Sequence, residues 1–322
     1  MPAETRWQAA RRTPIVVRML SGWETGASRR VPYQSTFRPG SFVGQVVIVT
    51  GGGSGIGRCT AHELASLGAR VALVGRNSEK LARVAAEIDG DVEPGRASGH
   101  VCDIRVEEQV VATIAGILKA HGRIDGLVNN AGGQFTAPLE AMSQKGWETV
   151  VRTNLTGGFL MARECYKQWM QGRGGAIVNV VADMWLGMPA MGHSGAARAG
   201  MVNFTETAAN EWSVSNVRIN AVAPGWIASS GMDTYPPEMG ARIRNMSRMA
   251  PLGRLGSESE VSSAIVFLLS EGAAYISGAT LRVDGAVPHT KISRPLPLST
   301  KPAPQYDGFH RASQPKVLQE ER

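Results

Sequence analysis

Several protein classes are excluded by what this chain has little of. It carries three cysteines in 322 residues, Cys59, Cys102 and Cys165, with no C-x-x-C pair and no metal-ligand spacing. That argues against a disulfide scaffold and a metal site, and for reduced thiols in a cytoplasmic protein. No apolar run approaches the ~18 residues of a membrane span; "AIVFLL" (264–269) is far too short. The apolar piece "PIVV" (14–17), set among Arg6, Arg11, Arg12 and Arg18, lacks the length and cleavage site of a secretory leader. A transit peptide and a start at Met19 stay open as readings. The terminal "QEER" does not match a peroxisomal address.

The body of the chain also lacks a charge excess. The net charge is +7, but residues 1–43 hold seven Arg against two Glu, and residues 287–322 hold six Lys/Arg against three Asp/Glu. The ends therefore carry +5 and +3, which leaves 44–286 at −1. A nucleic-acid protein needs a basic face on its folded part, so that partner is not expected, and neither is a membrane.

What is present is an alternation of short β-branched runs and helical stretches. "VVIVT" (46–50), "RVALVGR" (70–76), "SGHVCDI" (98–104), "IDGLVNNAG" (124–132), "GAIVNVVAD" (175–183), "VRINAVAPGW" (217–226) and "TLRVDGA" (280–286) read as strands. Between them, "GRCTAHELASLG" (57–68), "SEKLARVAAEI" (78–88) and "EEQVVATIAGILKAHG" (107–122) read as helices. The pattern predicts an α/β fold, a Rossmann-type doubly wound parallel sheet of seven strands in one domain over 44–286. Residues 1–43 read as an irregular basic extension and 287–322 as a proline-rich tail, either disordered or an arm laid on a neighbouring subunit through Tyr306 and Phe309.

"TGGGSGIG" (50–57) leaves the first strand and opens the first helix. Gly51 suits the tight turn, Gly55 lets backbone approach a phosphate, and Gly57 lets helix and sheet pack closely. Gly51, Gly53, Ser54, Gly55, Ile56 and Gly57 are therefore expected to bind a dinucleotide, with helix N–H groups facing its pyrophosphate. The second strand ends at Gly75 and Arg76 instead of an acidic residue. An arginine fork suits a 2′-phosphate, so NADP(H) is favoured over NAD(H).

With "CDI", "NNAG" (129–132), Asn154 in "RTNLTG" and "PGWIAS" (224–229) added, residues 44–286 resemble the short-chain dehydrogenase/reductase family. The resemblance implies that Asp103 sits near the adenine and that Asn129, Ala131 and Gly132 line the cofactor. It also implies that Pro224, Gly225, Ile227 and Ser229 close over the nicotinamide, Ser229 replacing a usual threonine. The family's catalytic centre combines asparagine, serine, tyrosine and lysine. Here Asn154 is kept, Val181 and Ala182 occupy the serine's place, Ser194 the tyrosine's, and Arg198 the lysine's. Serine is a poor proton carrier at these pH values and arginine does not release its proton. Cofactor holding and anion stabilisation survive, which suits hydride addition to an activated C=C bond.

"NNAGGQF", "SQKGWETVVRTNLTG" (143–157) and "HSGAARAG" (193–200) are similar to the trans-2-enoyl-CoA reductases, although Val202 and Glu206 stand where those enzymes have a tyrosine and a lysine. "ADMWLGMPAM" (182–191) lacks the tyrosine by which dienoyl-CoA reductases work. The expected substrate is an enoyl-CoA. The alternatives are a terpenoid alcohol or aldehyde such as citronellol or citronellal, and cofactor binding without turnover. Asn154, Ser194 and Arg198 are the catalytic candidates; His193, Asp183 and Tyr235 are candidate proton donors. Arg242, Arg244 and Arg248, in a lid, could meet CoA phosphates. Family resemblance also implies a homotetramer or homodimer built on the helices around 143–170 and 193–212.

Overall fold

The computed structural model describes residues 32–235, 237–287 and 303–319. Residues 1–31, 288–302 and 320–322 lie outside the described residues, and with them the leader, transit-peptide and start-site readings. Seven parallel strands form one sheet: β1 (Val46–Thr50), β2 (Arg70–Gly75), β3 (Ala97–Val101), β4 (Gly126–Asn129), β5 (Gly175–Val180), β6 (Val217–Pro224) and β7 (Thr280–Val283). Their spatial order is β3-β2-β1-β4-β5-β6-β7. The chain winds outward from β1 in one direction and then returns to extend the sheet in the other. The switch between β1 and β4 opens a crevice at the carboxyl ends of the strands.

The helices are α1 (Gly55–Ser66), α2 (Ser78–Asp91), α3 (Glu107–His121), α4 (Gln144–Val151), α5 (Gly157–Gln168), α6 (Gly192–Glu211), α7 (Gly240–Met249) and α8 (Glu258–Leu269). Period-two alternation in β1 explains why both faces are covered. Val47 and Val49 enter a core shared with Leu64, Leu81 and Ile265, from α1, α2 and α8. Val46 and Ile48 enter a second core with Ile114, Met161 and Ala208, from α3, α5 and α6. All five β1 residues are buried, hence the unbroken apolar run. Two short strands, Ile227–Ala228 and Gly256–Ser257, pair apart from the main sheet.

The segment 303–319 folds back along its own chain. Tyr306 donates from Oη to Gln34 O at 2.7 Å, and Phe309 is buried with its ring 5.1 Å from that of His62. Tyr306 and Phe309, for which the sequence leaves open disorder or an arm on a neighbouring subunit, engage their own chain here. Farther along, Val317 N donates to the Asp233 carboxylate at 3.0 Å, and Arg244 donates to Val317 O at 3.3 Å. This arm thus joins α1 and α2 to the segment ahead of α7.

Asp91, at the end of α2, anchors the arm. Arg311 grips it with two bonds of 2.6 Å, and His310 Nε2 lies 2.7 Å away. Burial works to raise the Asp91 carboxyl, but these partners outweigh it and hold it at about 2. A carboxyl depressed below its unfolded value stabilises the fold above the unfolded value, near 4, and this contribution is lost as pH falls towards 2. Arg311→Ala is therefore expected to remove about 2 kcal/mol at pH 7. In urea unfolding, the gap between variant and parent should narrow steadily as pH falls from 5 to 2.5; a gap as large at pH 2.5 as at pH 7 contradicts the assignment.

Candidate active site

The cofactor crevice is built from the carboxyl-end loops of β1, β2, β3 and β4. After β1, Gly51 turns with φ +67° and α1 starts at Gly55. A Cβ on Gly57 would lie 2.5 Å from Gly51 O, so the first helical turn lies hard against the loop. That closeness lets helix N–H groups reach a pyrophosphate. After β4, Thr50 Oγ1 accepts from Asn130 N and Ala131 N at 3.0 and 2.9 Å, which stitches the two loops together. The cavity of about 230 Å³ between them is lined by Gly51, Gly53, Ser54, Arg76, Asp103, Ala131 and Gly132.

Three further cavity residues had no motif to mark them: Lys80, Arg105 and Thr153. Lys80 comes from the first turn of α2, whose Asn77 cap accepts from Lys80 N at 2.8 Å. Arg105 grips Asp103 through Nε at 2.8 Å and Nη2 at 2.5 Å. This holds the Asp103 carboxyl at about 2 against its partial burial, with Arg76 adding to the effect. Arg76, Lys80 and Arg105 thus all line the cavity.

Other expected cofactor residues contribute differently. Asn129 turns its amide into the protein, donating to Gly158 O and Asn179 Oδ1 at 2.9 Å each. It fastens β4 to α5 and β5, and its side chain does not line the cleft. The Ile56 side chain packs on the core beside α8. Gly225 permits close passage of the strands, since a Cβ there would lie 2.7 Å from Asp284 Cα. Ile227 lies in the short strand pair, and Ser229 precedes the turn that opens the lid.

The reacting end is assembled from α4, α5 and α6. Between α4 and α5 the helix widens into a π turn, Arg152–Thr156, which carries Asn154. Such turns redirect one side chain at functional sites. Asn154 is buried, accepts from Gly133 N at 2.9 Å, and donates to Gly133 O at 3.0 Å. Ser194 and Arg198 lie four residues apart, on one face of the first turns of α6. Ser194 Oγ donates to Gln134 Oε1 at 2.8 Å, and Asn154 Nδ2 lies 3.5 Å from the same Oγ. Arg198 donates through Nη1 to Val180 O at 2.8 Å, while its Nε is buried without a partner among the described residues. A Cβ on Gly132 would lie 2.5 Å from Arg198 Nη2, so only glycine leaves room for this guanidinium. Burial lowers the Arg198 guanidinium to about 10, and it stays a cation at neutral pH.

Val181, in the place of the carbonyl-orienting serine, is buried in an apolar cluster with Met201. His193 is fully buried, accepts from Ser194 N at 2.7 Å and meets the Phe135 ring edge-on at 4.4 Å. Burial lowers its imidazole further, so it stays neutral packing. Tyr235, after the short turn Ser230–Thr234, accepts from Gln134 Nε2 at 2.8 Å. No residue pattern marks Gln134 as the link between Ser194 and Tyr235. Of the lid arginines, Arg244 reaches the C-terminal arm, while Arg242 and Arg248 are exposed. Val202 packs beside Met201, and Glu206 lies exposed near Gly278, farther along α6.

The cradle fits a dinucleotide: a glycine turn before a helix, cations in the cavity lining, and a buried arginine with a spare N–H beside Gly132. Comparison with known proteins agrees with this. The sequence model of the family described as enoyl-(acyl carrier protein) reductase matches residues 51–287. A solved citronellol catabolism dehydrogenase (AtuB) of Pseudomonas aeruginosa PAO1 is 61% identical, with a TM-score of 0.70, over 79% of this chain and 99% of that one. A probable 2,4-dienoyl-CoA reductase of Bacillus subtilis is 36% identical over 244 residues, 75% of this chain and 95% of the relative. A peroxisomal 2,4-dienoyl-CoA reductase of Danio rerio is 34% identical over 257 residues, 79% and 84% of the two chains. The chain belongs to the short-chain dehydrogenase/reductase family and is an NAD(P)-dependent oxidoreductase.

Proposed function

We propose that the protein reduces a C=C bond conjugated to a carbonyl, most naturally that of an enoyl-CoA, with NADPH as reductant. The observation that carries this is the Ser194–Gln134 hydrogen bond beside Arg198: the one hydroxyl in the tyrosine's place gives its proton to an amide. An alcohol dehydrogenase needs an acid–base group at the oxygen on the carbon that exchanges hydride, and neither Ser194 nor Val181 serves there. Conjugate reduction is less demanding at that carbon, because the negative charge develops on a remote thioester oxygen. When bound, a reduced nicotinamide supplies the hydride. Arg198 and Asn154 hold the site's shape, and the Arg198 cation favours the developing anion. Arg76 and Lys80 support NADPH over NADH, since both line the cavity and a 2′-phosphate adds negative charge there. Enoyl and dienoyl reductases recur in the names of the matched family and relatives.

A second reading, oxidation of a branched terpenoid alcohol such as citronellol, is favoured by the 61% identical neighbour from citronellol catabolism. The two readings separate in one assay. Purified protein is mixed with NADPH and crotonyl- to decenoyl-CoA, and with NADP⁺ and citronellol. Loss of NADPH absorbance with enoyl-CoA is expected, with NADH at least tenfold poorer in kcat/KM. Reduction of NADP⁺ by citronellol without any enoyl-CoA turnover would reverse the order. Binding of NADPH without either turnover would leave a cofactor-binding protein.

A further inference from the structure

We infer that Tyr235, on the lid, is the proton donor of this site, aimed by a chain of hydrogen bonds that begins at the backbone of Gly133; this rests on the reading of the site as a C=C reductase.

The direction of each bond follows from its neighbour. Gly133 N can only donate and Gly133 O can only accept, so their bonds of 2.9 and 3.0 Å fix the Asn154 amide: Oδ1 towards the N–H, Nδ2 towards the carbonyl. The Nδ2 group, with a second N–H, then faces Ser194 Oγ at 3.5 Å. With an N–H donor on that side, the Ser194 proton turns to Gln134, at 2.8 Å. Gln134 therefore presents Oε1 to Ser194 and Nε2 to Tyr235, at 2.8 Å. Tyr235 Oη accepts this N–H, and its own O–H is left over. Among the described residues no acceptor takes that proton. A phenol held in place as an acceptor, with its proton uncommitted, is a donor waiting for a substrate.

Had Gln134 the opposite orientation, the outcome would differ. Ser194 would receive two N–H groups, its own proton would be free, and Tyr235 would be tied to Oε1. The structure has the first arrangement, with Oε1 on Ser194 and Nε2 on Tyr235. The tyrosine missing from α6 is thereby replaced from across the crevice, 101 positions after Gln134 in the chain. The serine in its old place becomes a positioning residue.

The step balances. A new C–H bond forms at the substrate's β-carbon as hydride arrives, and the C=C electron pair moves towards the thioester oxygen. The resulting enolate takes the Tyr235 proton at the α-carbon, breaking the O–H bond. Water then returns a proton to the phenolate. The substrate gains two electrons and the nicotinamide loses two.

The test is a set of variants read on three observables. Tyr235→Phe should lower kcat for enoyl-CoA reduction about 100-fold, the low end for losing a positioned acid. NADPH affinity by fluorescence titration and the melting temperature should stay as in the parent, and the solvent isotope effect on kcat should rise as protonation becomes limiting. Ser194→Ala, which removes the hold on Gln134 and the long contact to Asn154 while leaving Tyr235 in place, should lose about tenfold. A Tyr235→Phe enzyme within threefold of the parent, or a 100-fold loss in Ser194→Ala alongside it, overturns the assignment. If the parent turns over citronellol and no enoyl-CoA, the proposed reaction falls. The same variants read on citronellol then decide Tyr235 by the same thresholds.

Discussion

Arg198→Ala should lower kcat/KM at least 100-fold and weaken NADPH binding at the same time. The guanidinium does two things that alanine cannot. Nη1 closes the carbonyl of Val180 at the end of β5, and the group places a cation against Gly132 with a buried Nε still free. Removing a donor that stabilises developing charge costs about 10²–10³ in rate. Leaving the buried Val180 carbonyl unpaired adds about 1–3 kcal/mol of local cost. Because burial rather than a neighbouring charge lowers Arg198, to about 10, the cation persists across the working pH range. Arg198→Lys should recover part of the loss, since charge returns without the fork. Steady-state kinetics with a parallel fluorescence titration decides the matter: unchanged values for both would remove Arg198 from the site.

Gly57→Ala should nearly abolish dinucleotide binding and lower stability by about 3 kcal/mol, as expected of overpacking against rigid backbone. The added methyl would lie 2.5 Å from both Gly51 O and Asn130 Nδ2. Neither can retreat easily. Gly51 is held in its turn by a bond from its N–H to Val74 O at 2.8 Å, and Asn130 Nδ2 donates to Thr50 O at 3.0 Å. Opening this contact moves the N-terminus of α1 away from the phosphates. Gly90→Ala is the matched control. That glycine is exposed on α2 with nothing within 4 Å of an added Cβ, so alanine there should stabilise by about 0.5–1 kcal/mol. Denaturant unfolding of both variants, with cofactor titration, tests the contrast; equal behaviour would mean that the turn yields.

The Gly57 expectation rests on a glycine pattern legible from residue types, whereas the place of Arg198 is legible only through the family resemblance. The seven strands were readable because a parallel sheet covered on both faces demands β-branched runs, such as "VVIVT" in β1. The glycine turn was readable because it lies between a strand and a helix. Strand ends were less so: "IDGLVNNAG" narrows to Gly126–Asn129, since Asn130 and Ala131 leave the sheet to bond Thr50. Local pattern could not show that Asn129 faces inward, because its partner Asn179 lies 50 positions away. Nor could it show the π turn under Asn154, which depends on how α4 and α5 join. Gln134 was hidden for the same reason. Its meaning lies in Ser194 on one side and Tyr235 on the other, and neither is near it in sequence. Arg105 and Lys80 have no special spacing and gain a role only where α2 and the loop after β3 meet the cavity.

The central claim is that hydride goes to a carbon remote from the oxygen that carries the charge. NADPH labelled with deuterium at the transferred position tests it most directly, with an enoyl-CoA as acceptor and mass-spectrometric location of the label. The predicted product is the saturated acyl-CoA, with one deuterium on the β-carbon and an α-hydrogen drawn from solvent. An alcohol product with deuterium on the former carbonyl carbon would contradict the account.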